Sequence, residues 1–97
     1  MQPTLVELRE NSTMLALTWP DYGTRLLGAE TLRRASRAAS EIRRQIAGVE
    51  LAIEPGLHVT ALEPIGNYAL RLLFSDGHDR GIYPWPYLRE LADEQAA

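Results

Sequence analysis

Ninety-seven residues, 45% hydrophobic and 24% charged, suit one compact domain spanning 1–97 and are too few for two, because a chain of this size buries only about 60 to 68% of its unfolded surface. The complete lack of cysteine excludes disulfides, thiolate nucleophiles and thiolate metal sites together. The net charge of -3 is unevenly spread: residues 25–48 hold six arginines against two glutamates, net +4, which leaves -7 for the rest.

Met1-Gln2-Pro3-Thr4 lacks the basic-then-apolar layout of a signal peptide, and no apolar run approaches the roughly 18 residues of a membrane span, so a cytoplasmic protein with no membrane contact is expected. Thr4 to Arg9 and Met14 to Trp19 read as strands, the second alternating Leu15, Leu17 and Trp19 with Met14, Ala16 and Thr18. Glu10-Asn11-Ser12 supplies the turn of an antiparallel hairpin, and Pro20-Asp21-Tyr22-Gly23 ends its second strand. From Ala29 to Ala47 the period becomes helical: Leu32, Ala35, Ala39, Ile42 and Ile46 share one face, and Arg33, Arg34, Arg37, Glu41 and Arg44 lie opposite. Gly48 fits the position just past the end of that helix.

Val49 to Ile53 is a candidate short strand and His58 to Leu62 another, with Glu63 to Asn67 as the next connection. Tyr68, Leu70, Leu72 and Phe74 then alternate with Ala69, Arg71 and Leu73 in a strand apolar enough to be central. Asp76-Gly77 favours a tight reversal before a short strand at Ile82-Tyr83. Pro84 and Pro86 are compatible with the first turn of a closing helix that carries Trp85, Leu88 and Ala92 on its apolar side and frays after Glu94. The fold class is therefore α+β: a small, mostly antiparallel sheet of about five to six strands, one long helix and one short C-terminal helix.

An internal echo crosses these elements. Leu15-Ala16-Leu17-Thr18-Trp19-Pro20-Asp21 matches Leu70-Arg71-Leu72-Leu73-Phe74-Ser75-Asp76, and Leu32-Arg33 and Leu88-Arg89 follow at similar distances. A pseudo-repeat and a chance likeness of strand-turn-helix units both account for it.

The polar turn around His78 is the first candidate site. A histidine beside Asp76 and Asp79 suggests a general base, but no nucleophile-elbow context surrounds Ser75 or Ser36, so backbone capping in the turn or a pairing with Glu41 is the better reading. A calcium loop lacks its remaining oxygen ligands. His58 has no partner in sequence and reads as an edge-strand residue. The arginine face, including Arg33 and Arg37, lacks interleaved aromatics and belongs to an acidic chain, which argues against nucleic acid and for a solvated face or a protein interface. Trp85 and Tyr87 are candidate aromatic anchors for a partner, with core packing of at least one as the default.

Gly66-Asn67-Tyr68-Ala69-Leu70, Phe74-Ser75-Asp76-Gly77-His78, Gly81-Ile82-Tyr83 and Tyr87-Leu88-Arg89 together resemble the gamma-butyrobetaine hydroxylase-like N-terminal domain family, and Trp19-Pro20-Asp21 with Leu32-Arg33 extend the match. The resemblance implies a small α+β domain that occurs alone in bacteria, ahead of carnitine-pathway hydroxylases, and attached to some iron-sulfur assembly ATPases; the oxygenase chemistry belongs to a separate, longer domain. It also implies a zinc site made by three cysteines after the Leu-Arg pair and the histidine of the turn. The corresponding residues here are Ser36, Ala38 and Glu41 with His78, and one histidine falls short of four zinc ligands. No cofactor and no catalytic residue is expected. The expected role is a non-catalytic protein interaction or adaptor domain, with Asp76, His78, Asp79, Arg33, Arg37, Trp85 and Tyr87 as contact candidates. An accessory role in iron-sulfur cluster or metal handling and a hydrolase using His78 are the alternatives; the partner and the oligomeric state stay open.

Overall fold

The computed structural model describes residues 2–37, 46–48 and 53–96. Strands β1 (Leu5–Arg9), β2 (Met14–Trp19) and β3 (Gly23–Gly28) pair antiparallel in that order and lead into α1 (Ala29–Arg34). Strands β4 (Val59–Ile65), β5 (Ala69–Phe74) and β6 (Gly81–Pro84) repeat the arrangement and lead into α2 (Trp85–Ala96). The architecture is α+β, but its six strands form two three-stranded sheets, not one.

The two halves match in detail. Leu15 faces Leu27 across β2 and β3 as Leu70 faces Tyr83 across β5 and β6, and Leu17 faces Arg25 as Leu72 faces Gly81. Three connecting bonds recur as well. Thr13 N donates to Glu10 O as Tyr68 N does to Ile65 O, Tyr22 N to Trp19 O as Gly77 N to Phe74 O, and Ala29 N to Thr13 O as Trp85 N to Tyr68 O. The echo in the sequence is therefore a structural duplication of a meander followed by a helix.

Each central strand is covered on both flanks, so its alternating residues form the core: Leu15, Leu17, Trp19, Leu70, Leu72 and Phe74 are at most 3% exposed. Leu27, Leu32, Tyr83, Trp85 and Leu88 complete the same cluster, which draws on both sheets and both helices. Full burial of each such side chain contributes about 1.5–3 kcal/mol, and the core is shared because neither half covers its own sheet.

Several expectations change. The helix expected over Ala29 to Ala47 ends at Arg34, with Ala35 as its cap and Ser36 and Arg37 outside it. At that end Tyr83 Oη donates to Leu32 O, the carbonyl that Ser36 N would use in a continuing helix, and Ser36 N turns to Arg33 O at 3.4 Å. Ile46, expected on the inner face, is 82% exposed. Strand β3 was not expected, and β4 runs on through Pro64 to Ile65, tolerable because β4 is an edge strand. Pro84 ends β6, so the helix starts at Trp85, and α2 continues to Ala96. Most of the candidate strand Val49 to Ile53 lies outside the described residues, as do Ala38, Glu41 and Arg44.

Candidate functional site

The Asp-Gly-His turn folds on itself first. Gly77 takes a φ of +91°, which glycine adopts at little cost, and its N–H donates to Phe74 O at 3.0 Å. Phe74 N returns a bond to His78 O at 2.9 Å, and Asp76 Oδ1 accepts the His78 N–H at 3.0 Å. Local chemistry thereby aims two side chains outward from the turn. Asp76 Oδ2 accepts Arg33 Nε at 2.8 Å, and His78 Nε2 shares a 2.9 Å hydrogen bond with Ser36 Oγ.

Residues some 43 positions apart are thus clasped twice, at the C-terminal end of α1. The Arg33–Asp76 pair is well sheltered, with side chains 8% and 14% exposed, and Ser36 is 3% exposed. Burial pushes the Asp76 carboxyl up, but the His78 amide and the Arg33 guanidinium outweigh it and hold the group below its ordinary value of 3.8. Two tyrosines close the same corner from the second half. Tyr83 Oη donates to Leu32 O and Tyr87 Oη to Ala35 O, satisfying carbonyls that the end of α1 leaves open. The Arg37 guanidinium lies 3.6 Å from the centre of the Tyr87 ring, which stacks in parallel on Tyr83.

The structure therefore assembles Arg33, Ser36, Arg37, Asp76, His78 and Tyr87 at one junction. Arg33, expected on the exposed face, is buried at 7% at its contact with the Asp76 carboxylate of the second half. Trp85 is buried in the core at 5%, its indole donating to Asn67 O, so it offers a partner little surface. Asp79 is exposed at the rim. His58 sits just before β4, with Nδ1 bonded to Gly56 O and its amide donating to Ser75 Oγ. Ala38 and Glu41 lie outside the described residues. The capping role of Tyr83 was not anticipated, nor was the second cross-half pair, Arg89 with Asp21 at 3.3 Å. The signal for that pair was present, since the Leu-Arg and aspartate of the echo supply one arginine and one acid in each half.

Zinc does not fit this donor set. His78 Nε2 faces a neutral hydroxyl, and both oxygens of the adjacent carboxylate are already committed to Arg33 and to the His78 amide. Among the described residues no three of His, Cys, Asp and Glu are grouped to hold a metal. An imidazole and a hydroxyl are too few for a tetrahedral N/S site.

Comparison with known proteins comes down to one family. The sequence model of the family described as gamma-butyrobetaine hydroxylase-like, N-terminal matches residues 6–89. A crystal structure of a protein with unknown function of the DUF971 family from Acidithiobacillus ferrooxidans is 31% identical, with a TM-score of 0.74, over 94% of this chain and 92% of that one. Two solution structures determined by NMR are also similar. One is 31% identical with a TM-score of 0.76, over 97% of this chain and 70% of that one; the other is 32% identical with a TM-score of 0.71, over 98% and 75%. No curated protein matches.

Proposed function

The chain belongs to the gamma-butyrobetaine hydroxylase-like N-terminal family, and from that premise we propose that it is a non-catalytic, cytoplasmic protein-interaction domain whose contact surface is the junction of α1 with the Asp76-Gly77-His78 turn. The observation that supports this reading is how the junction's polar groups are used. Its inner groups bond to one another, Arg33 to Asp76 and Ser36 to His78, while Arg37, Asp79 and Arg80 form an exposed charged rim around them. A fixed scaffold with a mixed-charge rim suits recognition of a complementary surface, where rim charges set partner choice and encounter rate.

The Ser36–His78 hydrogen bond is the feature that would favour a hydrolase. Two facts favour the non-catalytic reading over it. Ser36 is 3% exposed, and it follows the C-terminal end of a helix, where carbonyls gather; an oxyanion hole needs N–H donors there.

The test is cross-linked capture with charge-reversed rim variants, Arg37→Glu and Asp79→Arg, beside Glu63→Gln on the solvent face of the second sheet. A partner lost from both rim variants and kept by Glu63→Gln is the expected result, with the melting temperature of Asp79→Arg unchanged and that of Arg37→Glu lowered only by the loss of its Tyr87 ring contact, about 0.5–1 kcal/mol. Capture that ignores both reversals sinks the proposal.

A further inference from the structure

The clasp at the α1 junction closes over a dipeptide with chemistry of its own. Of the four aspartates in the chain, only Asp76 is followed by glycine; Asp21, Asp79 and Asp93 precede Tyr22, Arg80 and Glu94. Glycine has no Cβ to keep its nitrogen away from the preceding side chain, so in an Asp-Gly pair a main-chain nitrogen closes readily on a carboxyl group. Gly77 is exposed, and nothing lies within 4 Å of the place where a Cβ would stand. Packing therefore does not restrain it.

Hydrogen bonds do. Gly77 N, the nucleophile in such a closure, donates to Phe74 O at 3.0 Å. The carboxylate it would attack is held on both oxygens: Oδ1 accepts the His78 N–H at 3.0 Å, and Oδ2 accepts the Arg33 Nε–H at 2.8 Å. Loss of water also needs the neutral acid, with a hydroxyl to leave. Burial pushes the Asp76 carboxyl up, but the His78 amide and the Arg33 guanidinium hold it below its ordinary value, so that acid is scarce while the clasp is closed. Nucleophile, electrophile and leaving group are all restrained, the last two in part by a residue 43 positions away in the other half.

We propose that Asp76-Gly77 is a self-modification site gated by the clasp: when Arg33 releases the carboxyl group, Gly77 N closes on it and Asp76 is converted to isoaspartate. In the first step a bond forms between Gly77 N and Asp76 Cγ, the Cγ–OH bond breaks, and water leaves with the proton of Gly77 N. Water then opens the five-membered imide. Attack at Cγ restores aspartate, whereas attack at the original main-chain carbonyl breaks its bond to Gly77 N and leaves the chain running through Cγ. The net reaction is an isomerisation, with one water released and one taken up. The lengthened main chain no longer matches the two bonds that join Phe74 to Gly77 and His78, and the carboxylate ends on Cα, one carbon short of its place before Arg33. A modified clasp therefore stays open, whether or not the junction binds a partner.

The readout is the isoaspartate content of the tryptic peptide 72–80 after long incubation of the full chain at mildly acidic pH, with the isomer identified by its resistance to an aspartate-specific protease at residue 76. Arg33→Met should raise the rate at least about tenfold over the parent, since losing one partner of a buried pair shifts such equilibria by more than that. Leu8→Ala trims a side chain that packs against the core from β1, leaves both hydrogen bonds of Asp76 in place, and should keep the rate within about threefold of the parent. An Arg33→Met rate within about twofold of the parent overturns the proposal, as does equal acceleration in Leu8→Ala, which would place the reaction in the unfolded chain. Should Arg33→Met fail to fold, the parent in mild urea decides. Local release of the clasp exposes little surface, so the rate stays flat together with exchange of the His78 amide. A rate that climbs with urea in step with exchange of the β5 core amides overturns the gating.

Discussion

Replacing Asp76 with asparagine changes charge with almost no change of shape, and it isolates the clasp between α1 and the turn. Asparagine keeps an oxygen for the His78 amide, while the atom facing Arg33 Nε loses its charge. Breaking a buried pair by removing one partner costs about 3–5 kcal/mol and an exposed pair about 0–1. With side chains 8% and 14% exposed, this pair stands near the buried limit, and a loss of about 2–4 kcal/mol follows. A domain of this length shifts by about 4–8 °C per kcal/mol, so the melting temperature at pH 7 should fall by at least about 8 °C. The pH dependence carries its own sign. The folded-state pKa of Asp76 lies below the unfolded value, so the carboxylate's contribution is complete above about pH 4 and disappears as pH falls through the folded value. Thermal and urea unfolding of parent and variant from pH 7 to pH 2 should show a gap that closes in acid. A drop under about 3 °C at pH 7, or a gap that stays constant into acid, refutes the account.

Other substitutions probe the remaining contacts. Ser36→Ala removes the hydrogen bond to His78 and should cost about 1 kcal/mol in urea unfolding while moving the His78 ring nitrogen resonances. Tyr83→Phe deletes the hydroxyl on Leu32 O and should cost about 1–2 kcal/mol, with faster amide exchange at Ala35 and Ser36 as the local readout. Gly81→Ala puts a methyl 2.9 Å from Tyr83 Cε1 and should destabilise by about 1–3 kcal/mol through overpacking, unlike Gly56→Ala, where nothing lies within 4 Å and the penalty comes from its positive φ alone.

What local pattern carries, the sequence shows well. The period-2 alternation of Leu15, Leu17 and Trp19, and of Leu70, Leu72 and Phe74, is set by the pleat of each central strand and needs no knowledge of partners. The misses have nonlocal causes. Strand β3 hides because Leu26, 38% exposed, and the fully buried Leu27 stand side by side on opposite faces, so alternation is lost in an apolar pair. Helix α1 stops where the Tyr83 and Tyr87 hydroxyls, more than fifty residues away, take carbonyls at its end, partners that no local pattern records. The site has a nonlocal cause as well. Arg33, Ser36, Asp76 and His78 were all named from the sequence, but the burial of Arg33 comes with its contact to Asp76, 43 residues away, which helical periodicity does not record.

The duplication explains why the clasps exist in pairs. A half of this chain, about 50 residues, is too small to bury a sufficient core alone, so each half completes its core with the other. Helix α2 packs against β3 as well as β6, and Tyr83 of β6 reaches α1. In both helices the leucine of Leu-Arg, Leu32 or Leu88, is fully buried at this shared core. The arginine that follows is then carried to the facing half's aspartate turn, which is why Arg33 meets Asp76 and Arg89 meets Asp21. Burial decides what each pair becomes. At 8% and 14% exposure the first is a structural pin, whereas at 24% and 52% the second is a solvent-screened contact worth about 0–1 kcal/mol. Duplicated residues in unequal environments thus yield one strong clasp and one weak one.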